Sequence, residues 1–218
     1  MFIYNNLLIK EVDKNQWDDY LLLVDFSNIL QTWEYGNSKA KFYCRPYRFV
    51  VLDFKNEPVA IFQVLLYKIL FLPCLARINR GPLIIKKNYM SYENNANYLT
   101  VIEAIENKLR RLKSFLILIS PELKANENNK ASLIKLGFKQ ANKVEWSSSK
   151  IYLKKEENEI FLKLKSKWRN MLRKAEKSDL HISCESNENI IDLINIYKKL
   201  QTKNNFKGLS NDLILKLS

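Results

Sequence analysis

The stretch from Val59 to Ile78 is the most apolar window of the chain, and it constrains the fold more than any other segment. A bilayer span there would bury Gln63, Lys68 and Arg77 and carry Pro73, and each charge at membrane depth costs about 3 kcal/mol. The window therefore reads as core strands interrupted by a turn. The run before it, Tyr47 to Asp53, is rich in aromatic and β-branched residues, and Lys55-Asn-Glu-Pro58 between them is a turn signal. Together they predict a long antiparallel hairpin with Val59 to Ile69 as its returning strand.

Around this hairpin the pattern alternates between helix and strand. Asp13 followed by Gln16 forms a capping-box signature, and Trp17, Tyr20, Leu21 and Val24 recur at helical spacing, which predicts a first helix over 13–25. Glu34-Tyr-Gly36 reads as a turn, and Arg77 to Pro82 as a further short strand ending at Arg80-Gly81-Pro82. A long amphipathic helix over 97–113 follows, with Leu99, Ile102, Ile105 and Leu109 on one face. Ser114 to Ser120 is a continuous apolar run, predicted to be a strand buried on both faces and stopped by Pro121. Lys130 to Leu136 reads as a helix closed by Gly137, with a strand returning from Phe138 through Val144 and Trp146. The result is an α/β layer arrangement with a mixed sheet. From Ser147 the pattern restarts: a strand over 151–153, helix over 157–177, a strand over 180–184, a helix over 189–203 and the start of another over 211–217.

Composition narrows the function classes. With 218 residues and 47% hydrophobic residues the chain can build a large core, and a disulfide-stapled miniprotein is excluded. Cys44, Cys74 and Cys184 are an odd set without CxxC spacing, and they read as small hydrophobes in a reducing compartment. His181 is the sole histidine, flanked by Leu180 and Ile182 as at a surface-facing strand position. Histidine metal sites and Ser-His-Asp chemistry both need more than this. The N-terminus has no basic n-region followed by a long apolar run, which predicts a cytoplasmic protein.

The formal net charge of +13 points to anionic partners or to solubility, and its placement matters more than its sum. Residues 147–177 hold ten basic side chains against four acidic ones. On a helix, Trp168, Met171, Leu172 and Ala175 form one apolar stripe that would dock, while Arg169 and Arg173 stack one turn apart beside it. Three readings stay open: a solvated basic face above a core stripe, a site for phosphate or nucleic-acid backbone, and, with less support, a membrane-surface helix.

Four segments share an order and spacing with one family. Gln31-Thr-Trp-Glu-Tyr-Gly36 with Lys39, then Arg80-Gly81-Pro82, Leu133 to Phe138, and above all Lys167-Trp-Arg-Asn-Met-Leu-Arg-Lys-Ala-Glu-Lys177 resemble the FemABX peptidoglycan-bridge aminoacyltransferases, of the GNAT-like acyltransferase superfamily. The resemblance runs from about residue 15 to the C-terminus. It implies a GNAT-like first subdomain over 1–146 and the N-terminal part of a second over 147–218. Family members are much longer, so it also implies a truncated member. The implied activity moves an amino acid from aminoacyl-tRNA to the stem peptide of a lipid-linked or UDP-linked peptidoglycan precursor. No cofactor or metal is implied. The place of work would be the cytoplasm, including the inner face of the membrane where a lipid-linked precursor is the substrate.

Carried onto this sequence, the resemblance makes Lys39 a contact for the precursor's phosphates and Tyr35 an aromatic neighbour that binds substrate or packs the turn. Arg80 would face the substrate cleft or brace the sheet. Arg169, Arg173 and Lys177 would contact tRNA or phosphate, or brace the subdomains. Two departures stand out. Ser120-Pro121 replaces a frequent Asp-Pro, and Phe206 follows Asn204 and Asn205 where relatives place an arginine.

Attack of an amine on an activated ester needs alignment, a neutral amine and a donor for the oxyanion more than covalent help. That suits a chain without triad candidates, and the sequence nominates no catalytic residue or general base. A CoA-dependent N-acyltransferase using acetyl-CoA or another acyl-CoA is the alternative, against which stands the lack of a glycine-rich pyrophosphate loop among only four glycines. A binding module without turnover is the non-enzymatic alternative.

Overall fold

The structure is a computed structural model and describes residues 2–25, 27–69, 72–85, 96–121, 123, 125–141, 153, 156–181, 183 and 187–217. By contacts the chain divides into two compact units, residues 1–140 with 199–218, and residues 141–198.

The first unit is built on a seven-stranded sheet in the order β1-β2-β3-β4-β5-β7, with β6 paired to β4. The strands are β1 (Phe2–Tyr4), β2 (Leu7–Glu11), β3 (Cys44–Leu52), β4 (Pro58–Ile69), β5 (Leu72–Ile78), β6 (Leu83–Ile84) and β7 (Leu116–Ile119). All pairs are antiparallel except β5 with β7, so the sheet is mixed, as expected. The anticipated hairpin forms its centre: Cys44 pairs with Tyr67 at one end and Leu52 with Pro58 at the other.

Strand alternation sends side chains to two cores. On one face Phe49, Phe62, Val64, Ala76 and Ile78 pack against Tyr98, Val101, Ile102, Ile105 and Leu109 of α3 (Ala96–Arg111). On the other, Val50, Leu52 and Ile61 pack with Leu8 and with Trp17 of α1 (Lys14–Leu22). Trp17 is fully buried, and a buried side chain of its class contributes about 2 to 3 kcal/mol through lost apolar surface. The capping box is present: Asp13 accepts from the Gln16 amide at 2.9 Å, and the Gln16 side chain accepts from the Asp13 amide at 3.2 Å.

Several expectations are corrected. The β1–β2 hairpin precedes α1; Asn5 and Asn6 take φ of 45° and 62°, the left-handed pair that a two-residue hairpin turn needs. Glu34 to Gly36 is not a turn. Ile29–Gln31 forms a 3-10 turn and Trp33–Lys39 a helix, α2, whose N-cap Thr32 accepts from the Tyr35 amide at 3.2 Å. Arg77 to Pro82 is not a separate strand: β5 starts at Leu72 and ends at Ile78, and Asn79 to Pro82 leads to β6. β7 is a four-residue end strand whose pattern is half-exposed, with Leu116 54% and Leu118 38% accessible, because in the described residues it pairs only with β5. α4 (Glu127–Lys135) ends as anticipated: Gly137 at φ 87° and Phe138 return amides to Ile134 and Leu133, closing a Schellman motif. Residues 138–141 are not strand. The rest of that expected strand lies outside the described residues, as do 151 and 152 of the strand expected over 151–153 and 182 and 184 of the strand expected over 180–184; the residues described there, 153, 180, 181 and 183, are not strand.

The C-terminal helix α8 (Asn211–Leu217) packs on α2, with Leu213 buried. The second unit contains α5 (Glu157–Lys163), α6 (Ser166–Glu176) and most of α7 (Ile190–Asn204), so the basic segment is two helices broken at Leu164-Lys165. Among the described residues the Trp168 stripe is not buried, contrary to the expected docking. Trp168, Met171 and Leu172 are 59%, 52% and 40% accessible, and α6 buries no residue.

Candidate functional site

The face of the sheet that packs α1 turns polar where α2 crosses it. Arg48 of β3 sits directly across from Gln63 of β4, and both are buried. Arg48 donates from Nε to Gln63 Oε1 at 2.7 Å and from Nη2 to the Trp33 carbonyl and Asn37 Oδ1, each at 2.8 Å; its guanidinium lies 3.9 Å from the Trp33 ring centroid. Gln63 Nε2 donates in turn to the Leu30 and Thr32 carbonyls. Gln31, fully buried, accepts from the Gln63 amide at 2.8 Å and donates to the Asn79 carbonyl at 2.5 Å. These bonds fasten the 29–39 segment to β3, β4 and the end of β5. Burial pulls Arg48 down to about 10 from its ordinary 12.5, opposed by Glu34, so it still carries its charge at neutral pH. Gly36 is needed here for close approach: a Cβ on it would overlap Gln63 Oε1 and Arg48 Nη2 and stand 2.7 Å from Gln63 Cδ.

Beyond this lattice, toward the start of β3, lies a second group of side chains. Lys39, in the last turn of α2, places Nζ 5.5 Å from the Tyr35 ring centroid. Burial raises the Tyr35 phenol, with Arg77 opposing, and raises the Cys44 thiol, with Tyr67 and Lys39 opposing. Tyr67 is pushed up to about 12, first by burial and then by Cys44. Tyr35, Lys39, Cys44, Tyr67 and Arg77 are thus close enough to act on one another's ionisation. At neutral pH the two phenols keep their protons, so the group presents hydroxyl and cationic donors and no carboxylate. Adjacent to it is a cavity of about 400 Å³ lined by Lys41, Phe42, Cys44, Arg45 and Lys68 among others.

Tyr35 and Lys39 lie close together, on a helix rather than at a turn. Arg80 stands elsewhere, at φ 49° ahead of Gly81, with its carbonyl accepting from Asn28 Nδ2 at 3.1 Å. In the second unit Arg169 donates from Nη1 to the Leu162 and Leu164 carbonyls at 2.9 and 2.8 Å, closing the C-terminus of α5, and Arg173 lies 5.2 Å from the Phe161 ring centroid. Lys177 is the exposed C-cap of α6. Sequence reasoning missed Arg48, Gln63, Tyr67 and Arg77. Its available signal was a charged and an amide residue placed opposite each other in otherwise apolar strands. Among the described residues no group of three or more His, Cys, Asp or Glu side chains is placed to hold a metal ion. No helix among them is long and apolar enough to cross a membrane.

No family model and no curated protein matches this sequence. Among solved structures, FemX superposes with a TM-score of 0.71 over 96% of this chain and 54% of its own length, at 17% identity. The chain spans about half the length of FemX. An aminoglycoside 6'-N-acetyltransferase, AAC(6')-Ih from Acinetobacter baumannii, matches 67% of this chain and 99% of its own at 13% identity and a TM-score of 0.38. A spermidine N-acetyltransferase SpeG chimera from Vibrio cholerae matches 61% of this chain and 78% of its own at 17% identity and a TM-score of 0.39. In fold the chain is FemX-like, a mixed α/β arrangement.

Proposed function

We propose that the chain is an acceptor-binding aminoacyltransferase module, acting between aminoacyl-tRNA and the stem peptide of a peptidoglycan precursor. The observation that carries the reading is the group of Lys39, Tyr35, Arg77 and Tyr67 at the end of α2, two cations and two hydroxyl donors without a carboxylate. Two cations with two protonated phenols match the acceptor-only surface of a diphosphate linked to a nucleotide or a lipid. The FemX-like fold and the four shared sequence segments support the choice of substrate.

In the reaction the neutral amine of the stem peptide attacks the ester carbonyl of the aminoacyl-tRNA. A C–N bond forms, the C–O ester bond breaks, the amine gives up a proton and the tRNA leaves with its terminal hydroxyl. The contribution of Lys39 and its neighbours is to fix the acceptor through its phosphates, so that the amine approaches in a defined orientation. The basic α5–α6 segment would supply phosphate contacts for tRNA, with Arg169 and Arg173 also bracing those helices.

Thermal-shift titration with a UDP-linked muropeptide and, separately, acetyl-CoA tests the reading. Stabilisation by the muropeptide that disappears in Lys39→Ala is the expected result. Stabilisation by acetyl-CoA alone would move the chain to the CoA-dependent class. Labelled tRNA titrated at two salt concentrations tests the donor half, with binding that weakens as salt rises expected and salt-independent or undetectable binding refuting it.

A further inference from the structure

We propose that the turn at Lys41 to Cys44, with the cavity behind it, is a docking point for an anionic lipid headgroup surface. The turn is closed by reciprocal bonds, Lys41 amide to Cys44 carbonyl and Cys44 amide to Lys41 carbonyl, both 2.9 Å, and tied to β4 by the Lys68 amide on the Tyr43 carbonyl at 2.8 Å. Its two tip residues are Phe42, 89% accessible, and Tyr43, 52% accessible. Tight turns ordinarily place small or polar residues at these positions, because a ring there gives up its burial. A rigid tip that holds two rings in water is pre-formed to insert them elsewhere.

The surroundings identify the partner by its chemistry. Lys41, Arg45 and Lys68 line the cavity of about 400 Å³ beside the tip, and no carboxylate lines it. The guanidinium of Arg45 is steadied 5.0 Å from the Tyr47 ring centroid. Rings at headgroup depth with cations at the level of the phosphates are the arrangement of interfacial protein surfaces, and each cation near an anionic leaflet strengthens binding about fivefold. Single-stranded nucleic acid instead stacks on successive rings along a groove that tracks its backbone, whereas Phe42 and Tyr43 are neighbours on one four-residue turn. The surface does not depend on which reaction the chain performs.

The test is co-sedimentation of the full chain with vesicles of phosphatidylglycerol and phosphatidylcholine, against phosphatidylcholine alone. The expected result is binding to the anionic vesicles only, about 100-fold weaker in Lys41→Gln/Arg45→Gln/Lys68→Gln. Phe42→Ala/Tyr43→Ala, which leaves the charge unchanged, is expected to weaken it roughly tenfold. Lys165→Gln/Lys167→Gln/Lys174→Gln removes equal charge from the exposed surface of the basic segment and is expected to lose far less. Equal losses in the two charge variants, an unaffected aromatic variant, or equal binding to both vesicle types would each overturn the proposal. So would displacement from vesicles by soluble glycerophosphate, or a charge variant at the turn that loses tRNA binding but keeps vesicle binding. Should the triple variant at the turn fail to fold, the Phe42→Ala/Tyr43→Ala comparison decides alone, since both rings are exposed.

Discussion

Gly36→Ala tests how α2 is held to the sheet, because two principles give it opposite signs. Alanine within a helix is favoured over glycine by about 1 kcal/mol, so helix propensity alone predicts a more stable protein. At this position the added Cβ overlaps Gln63 Oε1 and Arg48 Nη2, and neither is a loose side-chain end. Gln63 is held by Arg48 Nε at 2.7 Å and by its own bonds to the Leu30 and Thr32 carbonyls, and both residues are buried. Making room breaks at least the charge-assisted bond, about 1.5 to 3 kcal/mol, and one neutral bond, about 1 kcal/mol. After the propensity gain, a net loss of about 2 kcal/mol remains. For a unit of this size that lowers the melting temperature by roughly 4 to 8 °C, readable by differential scanning calorimetry. In a Gln63→Ala background the same change is expected to cost less, because one of the two overlapping groups is gone and Arg48 gains room to shift away from the added Cβ. A melting temperature that stays or rises in the single variant would refute the close-packed reading of Arg48, Gln63 and Gly36.

Three further outcomes are expected. Arg169→Ala with Arg173→Ala removes the bonds that close α5, so hydrogen exchange over residues 157–164 should speed up severalfold; unchanged exchange with lost tRNA binding would make these arginines ligand contacts only. Native-state alkylation should reach the half-buried Cys74 before Cys44, whose thiol is buried and raised; mass spectrometry showing Cys44 modified first would contradict its packing. Tyr67 holds its proton more tightly folded than unfolded. Its contribution is therefore complete below about pH 10 and is lost as pH rises towards about 12, which denaturant titrations across that window will show as falling stability, an effect absent in Tyr67→Phe.

Much of the fold was legible because period and punctuation agreed. The hairpin from Cys44 to Ile69, the capped α1, the face of α3 and the Gly137 stop each carry a local signal that packing reinforces. The β1–β2 hairpin was missed although Asn5-Asn6 is a left-handed turn pair, because three-residue β1 is too short for alternation to register. The reading of 34–36 as a turn failed through Gly36, which marks close approach to a buried guanidinium and not a break in the chain.

The candidate site was half legible, and the missing half has a physical reason. Tyr35 and Lys39 lie four residues apart on α2, a relation that sequence can express. Tyr67 and Arg77 reach them only through pairing: Tyr67 stands opposite Cys44 and Arg77 opposite Leu65, which puts both on the sheet face that α2 crosses. The same pairing sets Arg48 against Gln63, so one cross-strand register fixes both the lattice that holds α2 and the donors at its end. A one-residue slip of β4 against β3 would turn Gln63 and Tyr67 to the α3 side and dissolve both at once. The candidate site at the end of α2 thus depends on the register of the central hairpin, whose long apolar strands and Asp53-to-Pro58 turn fix it. There Asp53 Oδ1 accepts from the Lys55 and Glu57 amides at 2.9 and 3.0 Å.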